Sequence, residues 1–418
     1  MSGPGAGHDP GAALAAAFAE PPARLGVAVS GGSDSTALLI HLANWAAAAG
    51  RPDLHVVTVD HGLRPEAAAE AAAVARLAGR LGLDHDVLHW RWDGQGNLQD
   101  AARRGRYRAI AGWAAAHGIA DVALGHTADD QAETVLMRLA RGSGVDGLAA
   151  MRPVRQALGI TWHRPFLGLG RAALRADLEA RGIGWSDDPS NEDPGYDRIR
   201  ARRALAALAP LGIEVSGLTE TAARMARAAE ALAATAADGA RRIAAVDAGD
   251  VVFDAAGLAA LPRDIRERLV AAALVWVASA DYRPRYAALL GALRTARAGR
   301  AATLHGCLLL PGRGTLRIAR EPRAVQGLRG PATTGWDGRW QAAGPDLEGL
   351  EIAALGEAGL TACPDWRATG RPRGALLAAP ALWRDDTPVA CPAAGLPGAW
   401  RFEPAPDLAG FLAAVTSH

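Results

Sequence analysis

The stretch Val27-Ala28-Val29-Ser30-Gly31-Gly32-Ser33-Asp34-Ser35-Thr36 decides how this chain is read. The apolar run Leu25 to Val29 is a buried strand. The next four residues turn sharply, and apolar residues return at helical spacing from Thr36 to Leu42. Strand, glycine turn and helix in that order open an α/β sheet. Gly31 and Gly32 can take positive φ and bring the backbone close to a ligand, and Ser33 or Asp34 can cap the new helix. The free N–H groups of such a helix start attract an anion, most often a phosphate. Gly-Gly alone would mark an ordinary turn; serine on both sides, followed by Asp-Ser-Thr, makes a phosphate site the better reading.

The chain contains no lysine, so all 45 of its basic residues are arginine. That excludes the kinase-type phosphate loop, whose lysine reaches the outer phosphates, and any Schiff base or nucleophile on an enzyme lysine. Ser30 to Ser35 instead resembles the loop of the N-type ATP pyrophosphatases, or PP-loop enzymes. Those split ATP between the α and β phosphates, transfer AMP to a substrate oxygen and hold the pyrophosphate. The resemblance implies that Ser30, Gly31, Gly32, Ser33, Asp34 and Ser35 bind ATP.

At 418 residues two or three domains are expected, and 50% hydrophobic residues support a sizeable core. A net charge of +1 gives no global field for a polyanion, so any nucleic-acid site must be a local patch. The three cysteines, Cys307, Cys363 and Cys391, are widely spaced and include no Cys-x-x-Cys pair. This fits a reducing compartment and argues against a zinc knuckle or an iron–sulfur site. No apolar run reaches the roughly 18 residues of a membrane span, and residues 1–20 lack the pattern of a secretory signal. The expectation is a cytoplasmic protein without membrane contact.

Further strands are expected at Leu54–Val59, Asp86–Trp90 and Asp121–Leu124, with a helix from Glu66 to Leu81. In open α/β sheets ligands sit beyond the carboxyl ends of the strands. This places Asp60-His61-Gly62-Leu63-Arg64 and Gly125-His126-Thr127-Ala128-Asp129-Asp130-Gln131-Ala132-Glu133-Thr134 on one rim with the first loop. His126 there is a candidate for touching nucleotide or substrate. Asp129 and Asp130 either cap the helix they open or, with Asp34, serve a cation near the phosphates; Mg²⁺ is the usual one, with Asp34 and Asp130 as its candidate ligands. Asp130 and Glu133 are neighbours on the same helix.

The helix opening at Asn97 carries Arg103 and Arg106 three residues apart, with Tyr107 beside them. Such a run is either a solvated face or a phosphate contact. Arg141 in the loop Arg141 to Leu148 could likewise reach a phosphate. A helix follows from Arg171 to Arg181, then the polar loop Trp185 to Pro194. Arg198, Arg200, Arg202 and Arg203, next to Tyr196, suit a nucleic-acid backbone. Beyond Pro210 the chain becomes a long helix from Thr219 to Ala245, a strand at Val251–Phe253, a helix at Ile265–Val277 and two strands at Thr303–Leu310 and Leu316–Arg320. From about Val325 a Gly-, Pro- and Trp-rich tail suggests short strands.

Taken in order, Ser30–Ser35, Asp60–Arg64, the Asn97–Tyr107 helix, His126–Thr134, Arg141–Leu148, Arg164-Pro165 and Asp188-Pro189-Ser190-Asn191 resemble the tRNA(Ile)-lysidine synthase family over about the first half of the chain. One departure is Ile199, where that family usually has asparagine. The resemblance implies an α/β fold: a parallel-sheet, adenine nucleotide alpha hydrolase-like PP-loop domain (1–204), a smaller, mainly helical domain binding substrate or tRNA (205–324), and a small β-rich C-terminal region (325–418). It implies an ATP-dependent carbon–nitrogen ligase. ATP adenylates the C2 oxygen of the wobble cytidine in the CAU anticodon of tRNA(Ile). Free L-lysine then displaces AMP. Asp34, His126, Asp129 and Asp130 become the catalytic candidates, Mg²⁺ an accompanying ion, and Arg103, Arg106, Arg198, Arg200, Arg202 and Arg203 the tRNA-binding candidates. A homodimer is the assembly to look for.

Three alternatives stand beside this, one of them a PP-loop amide ligase acting on a metabolite, against which the arginine clusters favour tRNA. A PP-loop tRNA thiolase generally carries catalytic cysteines, whereas here all three lie beyond residue 300. A non-catalytic nucleotide- or RNA-binding protein would not need Asp34, His126, Asp129 and Asp130 together.

Overall fold

The computed structural model describes residues 9–62, 67–92, 94, 98–186, 197–280, 282–403 and 407–417. Leu63-Arg64, Asn97 and the Asp188–Asn191 motif lie outside them. The chain forms two compact units, Met1–Ala229 and Glu230–His418.

In the first unit the described elements are α1 (Pro10–Ala17), β1 (Arg24–Ala28), α2 (Ser33–Ala49), β2 (Asp53–Asp60), α3 (Ala67–Arg80), β3 (Asp84–His89), α4 (Leu98–Ala116), β4 (Asp121–Leu124) and α5 (Ala128–Ala140). Then come α6 (Val145–Leu148), β5 (Val154–Ala157), β6 (Ile160–His163), α7 (Arg171–Ala180) and α8 (Asp197–Leu208). The sheet order is β3-β2-β1-β4-β6-β5. All pairs are parallel except β5 with β6. β1 is covered on both sides, which is why its sequence is an apolar run and not an alternation. Leu25 and Val27 face a core made with α1, α2, α3 and α7. On the other side Gly26 meets α4: a Cβ there would lie 3.0 Å from the Trp113 ring. The four fully or nearly fully buried residues Leu38, Leu39, Ile40 and Leu42 hold α2 against the sheet, each worth about 1.5–3 kcal/mol of apolar burial. The strand order reverses direction around β1 and β4, and a crevice at such a switch point is where ligands bind.

The long helix α9 (Val215–Ile243) spans the boundary between the units. In the second unit β7 (Ala244–Asp247), β8 (Asp250–Asp254), β9 (Ala302–Leu304), β10 (Cys307–Pro311) and β11 (Thr315–Arg320) form an antiparallel sheet in the order β7-β8-β11-β10-β9. Helices Arg263–Ala278 and Tyr286–Arg297 pack on it, as does the terminal helix Leu408–Ser417 through Phe411 and Val415. The remaining strands are β12 (Arg329–Pro331), β13 (Gln341–Ala343), β14 (Glu351–Ala354), β15 (Pro380–Arg384), β16 (Thr387–Ala390) and β17 (Arg401–Glu403). They make a four-stranded sheet, β12-β14-β15-β16, and the pair β13-β17. The single strand expected at Thr303–Leu310 is two: the chain reverses at His305 and Gly306, both at positive φ.

Candidate active site

The loop after β1 is built around Ser35. Its Oγ accepts the Ser30 N–H at 3.1 Å and donates to the Gly32 carbonyl at 3.1 Å. Gly31 takes φ 90°, a value that favours glycine. No side chain caps α2, and the first backbone bond of the helix is Thr36 N–H to Gly32 C=O. The amides of Ser33 to Ser35 are therefore left for a ligand. Gly125, at the end of β4, presses on this turn: a Cβ there would sit 2.8 Å from the Ser35 Cα. The glycine before His126 is thus a packing requirement that binds the two strand ends together.

The acids face one guanidinium. Arg171, first residue of α7, donates from Nε to Asp34 at 2.8 Å, from Nη2 to Asp130 at 3.2 Å and from Nη1 to Glu133 at 3.5 Å. Its backbone N–H donates to Asp129 at 2.7 Å. The sequence offered two roles for Asp129 and Asp130; Asp130 caps the helix it opens, whereas Asp129 does not and reaches the start of another. Asp129 caps α7. Asp130 Oδ2 accepts from the backbone N–H and hydroxyl of Thr127 at the start of its own helix, while Oδ1 faces Arg171. Glu133, whose side chain is 1% exposed, accepts at Oε1 from Arg202 Nε at 3.0 Å; its Oε2 has no partner.

Burial pushes the Asp34 carboxyl above its usual range, although Arg171 pulls it down. Burial also works against Asp130, but Arg171 and then Arg198 hold it below that range. For Arg171 burial opposes the charge and is outweighed by Asp130, Asp34 and Glu133, so its pKa is raised. Burial, reinforced by Arg164, Arg106 and Arg198, drives His126 down to about 3 despite Asp130. It is a neutral imidazole in ordinary buffers, with Nδ1 unpartnered. It can donate or accept a hydrogen bond but does not act as a proton donor of imidazolium strength.

Asp34 and Asp130, the expected Mg²⁺ ligands, are thus spanned by an arginine. As arranged, this donor set holds a guanidinium and does not fit a metal ion, and no cluster of three metal-ligating side chains occurs among the described residues. The arginines divide. Arg106 is half-buried, its guanidinium 5.8 Å from the Tyr107 ring, and it faces His126; it is not on a solvated face. Arg198 lies 3.8 Å from Asp130 and Arg202 binds Glu133, so both belong to the acid site. Arg200 and Arg141 pair with Asp197. Arg103 and Arg203 are exposed.

Three residues were missed as site members: Arg171, Glu133 and Arg164. Arg164 is 5% exposed and donates to the Arg152 carbonyl at 3.0 Å. Arg171 left one signal. A cation in the first turn of a helix opposes the helix dipole, and no acid accompanies it there. Such a residue needs another reason to be present.

A parallel sheet, a serine–glycine loop at the switch point and facing acids define a PP-loop protein, and residues 12–209 match the PP-loop domain family. A tRNA(Ile)-lysidine synthase from Ruegeria pomeroyi is 50% identical, covering 96% of each chain. Those from Methylobacterium sp. and Methylobacterium nodulans are each 44% identical over 71% of this chain, covering 88% and 90% of their own. This chain belongs to the tRNA(Ile)-lysidine synthase family, a family of ATP-dependent ligases. Among solved structures, a U34-tRNA thiolase from Methanococcus maripaludis aligns at TM-score 0.46 and 13% identity over 52% of this chain and 77% of that one, a likeness too distant to decide between chemistries.

Proposed function

We propose that the first unit joins free L-lysine to C2 of the wobble cytidine in the CAU anticodon of tRNA(Ile). In the first step the cytidine O2 attacks the α-phosphorus of ATP and the bond to the β-phosphate oxygen breaks. Pyrophosphate leaves into the amides of Ser33 to Ser35, which are placed for charge that develops there. In the second step the lysine amine attacks C2, the C2–O bond breaks, AMP leaves with the oxygen and the amine loses a proton. Asp130 and Glu133 would hold the lysine ammonium. Arg106, Arg164 and neutral His126 would line the side where the α-phosphate and cytosine edge meet. Mg²⁺ enters this reading as the counter-ion of ATP: Asp34 would hold it only after Arg171 withdraws, and it would neutralise the phosphates. Arg103 and Arg203 would grip anticodon-stem phosphates, contacts that position RNA without reading its sequence. A cytoplasmic setting follows from a tRNA substrate. The homodimer expectation is checked by light scattering.

The observation that carries the reading is the facing of an uncapped phosphate loop and a buried acid cluster within one unit. A sulfur-transfer reading lacks its nucleophile. Cys307, Cys363 and Cys391 are all buried in the second unit, and burial pushes Cys307 and Cys391 up to about 12. The test is ATP-dependent incorporation of radiolabelled lysine into unmodified CAU-anticodon tRNA(Ile), with a methionine tRNA of the same anticodon as control. Label on the isoleucine tRNA alone supports the reading. AMP and pyrophosphate formed without label would move it to another nucleophile.

A further inference from the structure

We infer that Arg171 is an exchangeable internal cation that makes ATP and the amine substrate bind cooperatively. The inference rests on the lysine-ligase reading above. Three carboxylates, Asp34, Asp130 and Glu133, converge on the Arg171 guanidinium, and all three side chains are 16% exposed or less. Such a group of buried acids needs a compensating cation at every stage. Arg171 supplies it here, and yet Glu133 Oε2 remains buried without a partner. One acceptor more than the arginine satisfies is present, as expected where an ammonium with three N–H donors is to be received.

The side chain has somewhere else to go. Its backbone is pinned by the bond from Arg171 N–H to Asp129, so only the side chain need turn. One helical turn further on, Arg175 already reaches the phosphate loop. Its Nε donates to Ser33 Oγ at 3.1 Å, and its guanidinium lies 5.7 Å from the Trp185 ring. Residues four apart share a helix face within about 5–6 Å, so the same face of α7 looks onto both the acids and the loop. When the triphosphate occupies the loop, its charge draws Arg171 from the acids to phosphate oxygen. The acids then keep only Arg198 and Arg202 at their edge and lose the cation that spans them, and the lysine ammonium takes the vacated place. Without nucleotide the site is closed to lysine by its own arginine. Linkage makes the effect reciprocal: each ligand raises the affinity of the other by the same factor.

The test is equilibrium dialysis of radiolabelled lysine against the full chain, with and without α,β-methylene ATP, for the wild type and Arg171→Gln. The wild type should bind lysine at least tenfold more tightly with the nucleotide, and the nucleotide should gain equally from lysine. In Arg171→Gln lysine should bind without nucleotide, and the coupling should fall to within twofold. Wild-type lysine affinity that ignores the nucleotide, a variant that keeps the full coupling, or lysine binding to neither protein overturns the exchange. If Arg171→Gln does not fold, the wild-type coupling decides alone. Incorporation of lysine into tRNA by the same wild-type preparation separates the two ideas. Incorporation without coupling removes the exchange and leaves the ligase, whereas absence of incorporation with any tRNA removes the ligase itself.

Discussion

Each unit buries a network of arginines and carboxylates, and the two networks are finished differently. In the second unit Asp247 takes both Arg317 at 2.6 Å and Arg371, Asp250 takes Arg317 at 2.8 Å, and Asp337 takes both ends of Arg320 at 2.7 and 2.8 Å. Arg339 gives its donors to the carbonyls of Val277 and Gly249 and stacks between Trp276 and Trp340. In the first unit Arg171 spans three acids with Arg198 and Arg202 at their edge, and a buried glutamate oxygen is still left over. A network whose donors and acceptors match holds a structure together. One that leaves a buried carboxylate oxygen without a donor is open to receiving something.

The comparison is broken most severely at the site. Asp34→Ala should lower lysine incorporation by roughly 10²–10³-fold, because the variant loses the carboxylate that would hold the counter-ion of the phosphates; near-normal incorporation would show that Asp34 only balances Arg171. Arg317→Met attacks the matched network. It leaves Asp250 buried without its partner and should cost about 3–5 kcal/mol in urea unfolding of the second unit, while the double variant with Asp250→Asn recovers much of the loss. Equal loss in the double variant would mean that packing of the Arg317 stem dominates.

A pH titration sharpens the difference further. Burial pushes the Asp250 carboxyl from 3.8 up to about 6, with Arg317 opposing. Between those values the folded protein keeps a proton that the unfolded chain has released. This group's contribution is therefore complete below pH 3.8 and is lost as the pH rises towards 6, on the order of 3 kcal/mol in all. Comparison of the wild type with Asp250→Asn across that window isolates the contribution. The smallest effect is expected outside both networks: Arg103→Ala and Arg203→Ala should each weaken tRNA binding a few-fold and reduce its salt slope by about one. An unchanged slope would exclude them as phosphate contacts.

Much of the fold was legible because its apolar runs are long and its glycine turn is distinctive. β1 and β4 lie where the sequence put them, within a residue or two, and α2 and α5 follow them as expected, α2 running on from Ser33 to Ala49. Three hairpins were not legible, for a shared reason. They turn at Leu158-Gly159, Ala248-Gly249 and His305-Gly306, where leucine, alanine and histidine take positive φ. Asn-Gly or Asp-Gly would have signalled such turns; these residues did not, and Ala244 and Ala245, which open β7, read as the end of a helix. The phosphate loop was legible for the opposite reason, since its chemistry is contiguous. Arg171 was not: its acid partners Asp34, Asp130 and Glu133 lie 137, 41 and 38 residues away, and no spacing rule reaches that far.

The buried thiols have a practical consequence. Cys307, Cys363 and Cys391 are enclosed, and burial raises all three, while the chain has no lysine side chain at all. Maleimides and succinimidyl esters, the two usual labelling reagents, therefore find almost nothing on this surface. A cysteine introduced at exposed Arg203 would be the lone attachment point for a fluorophore. Any lysine ε-amine consumed in a reaction mixture would belong to the added amino acid and not to the protein.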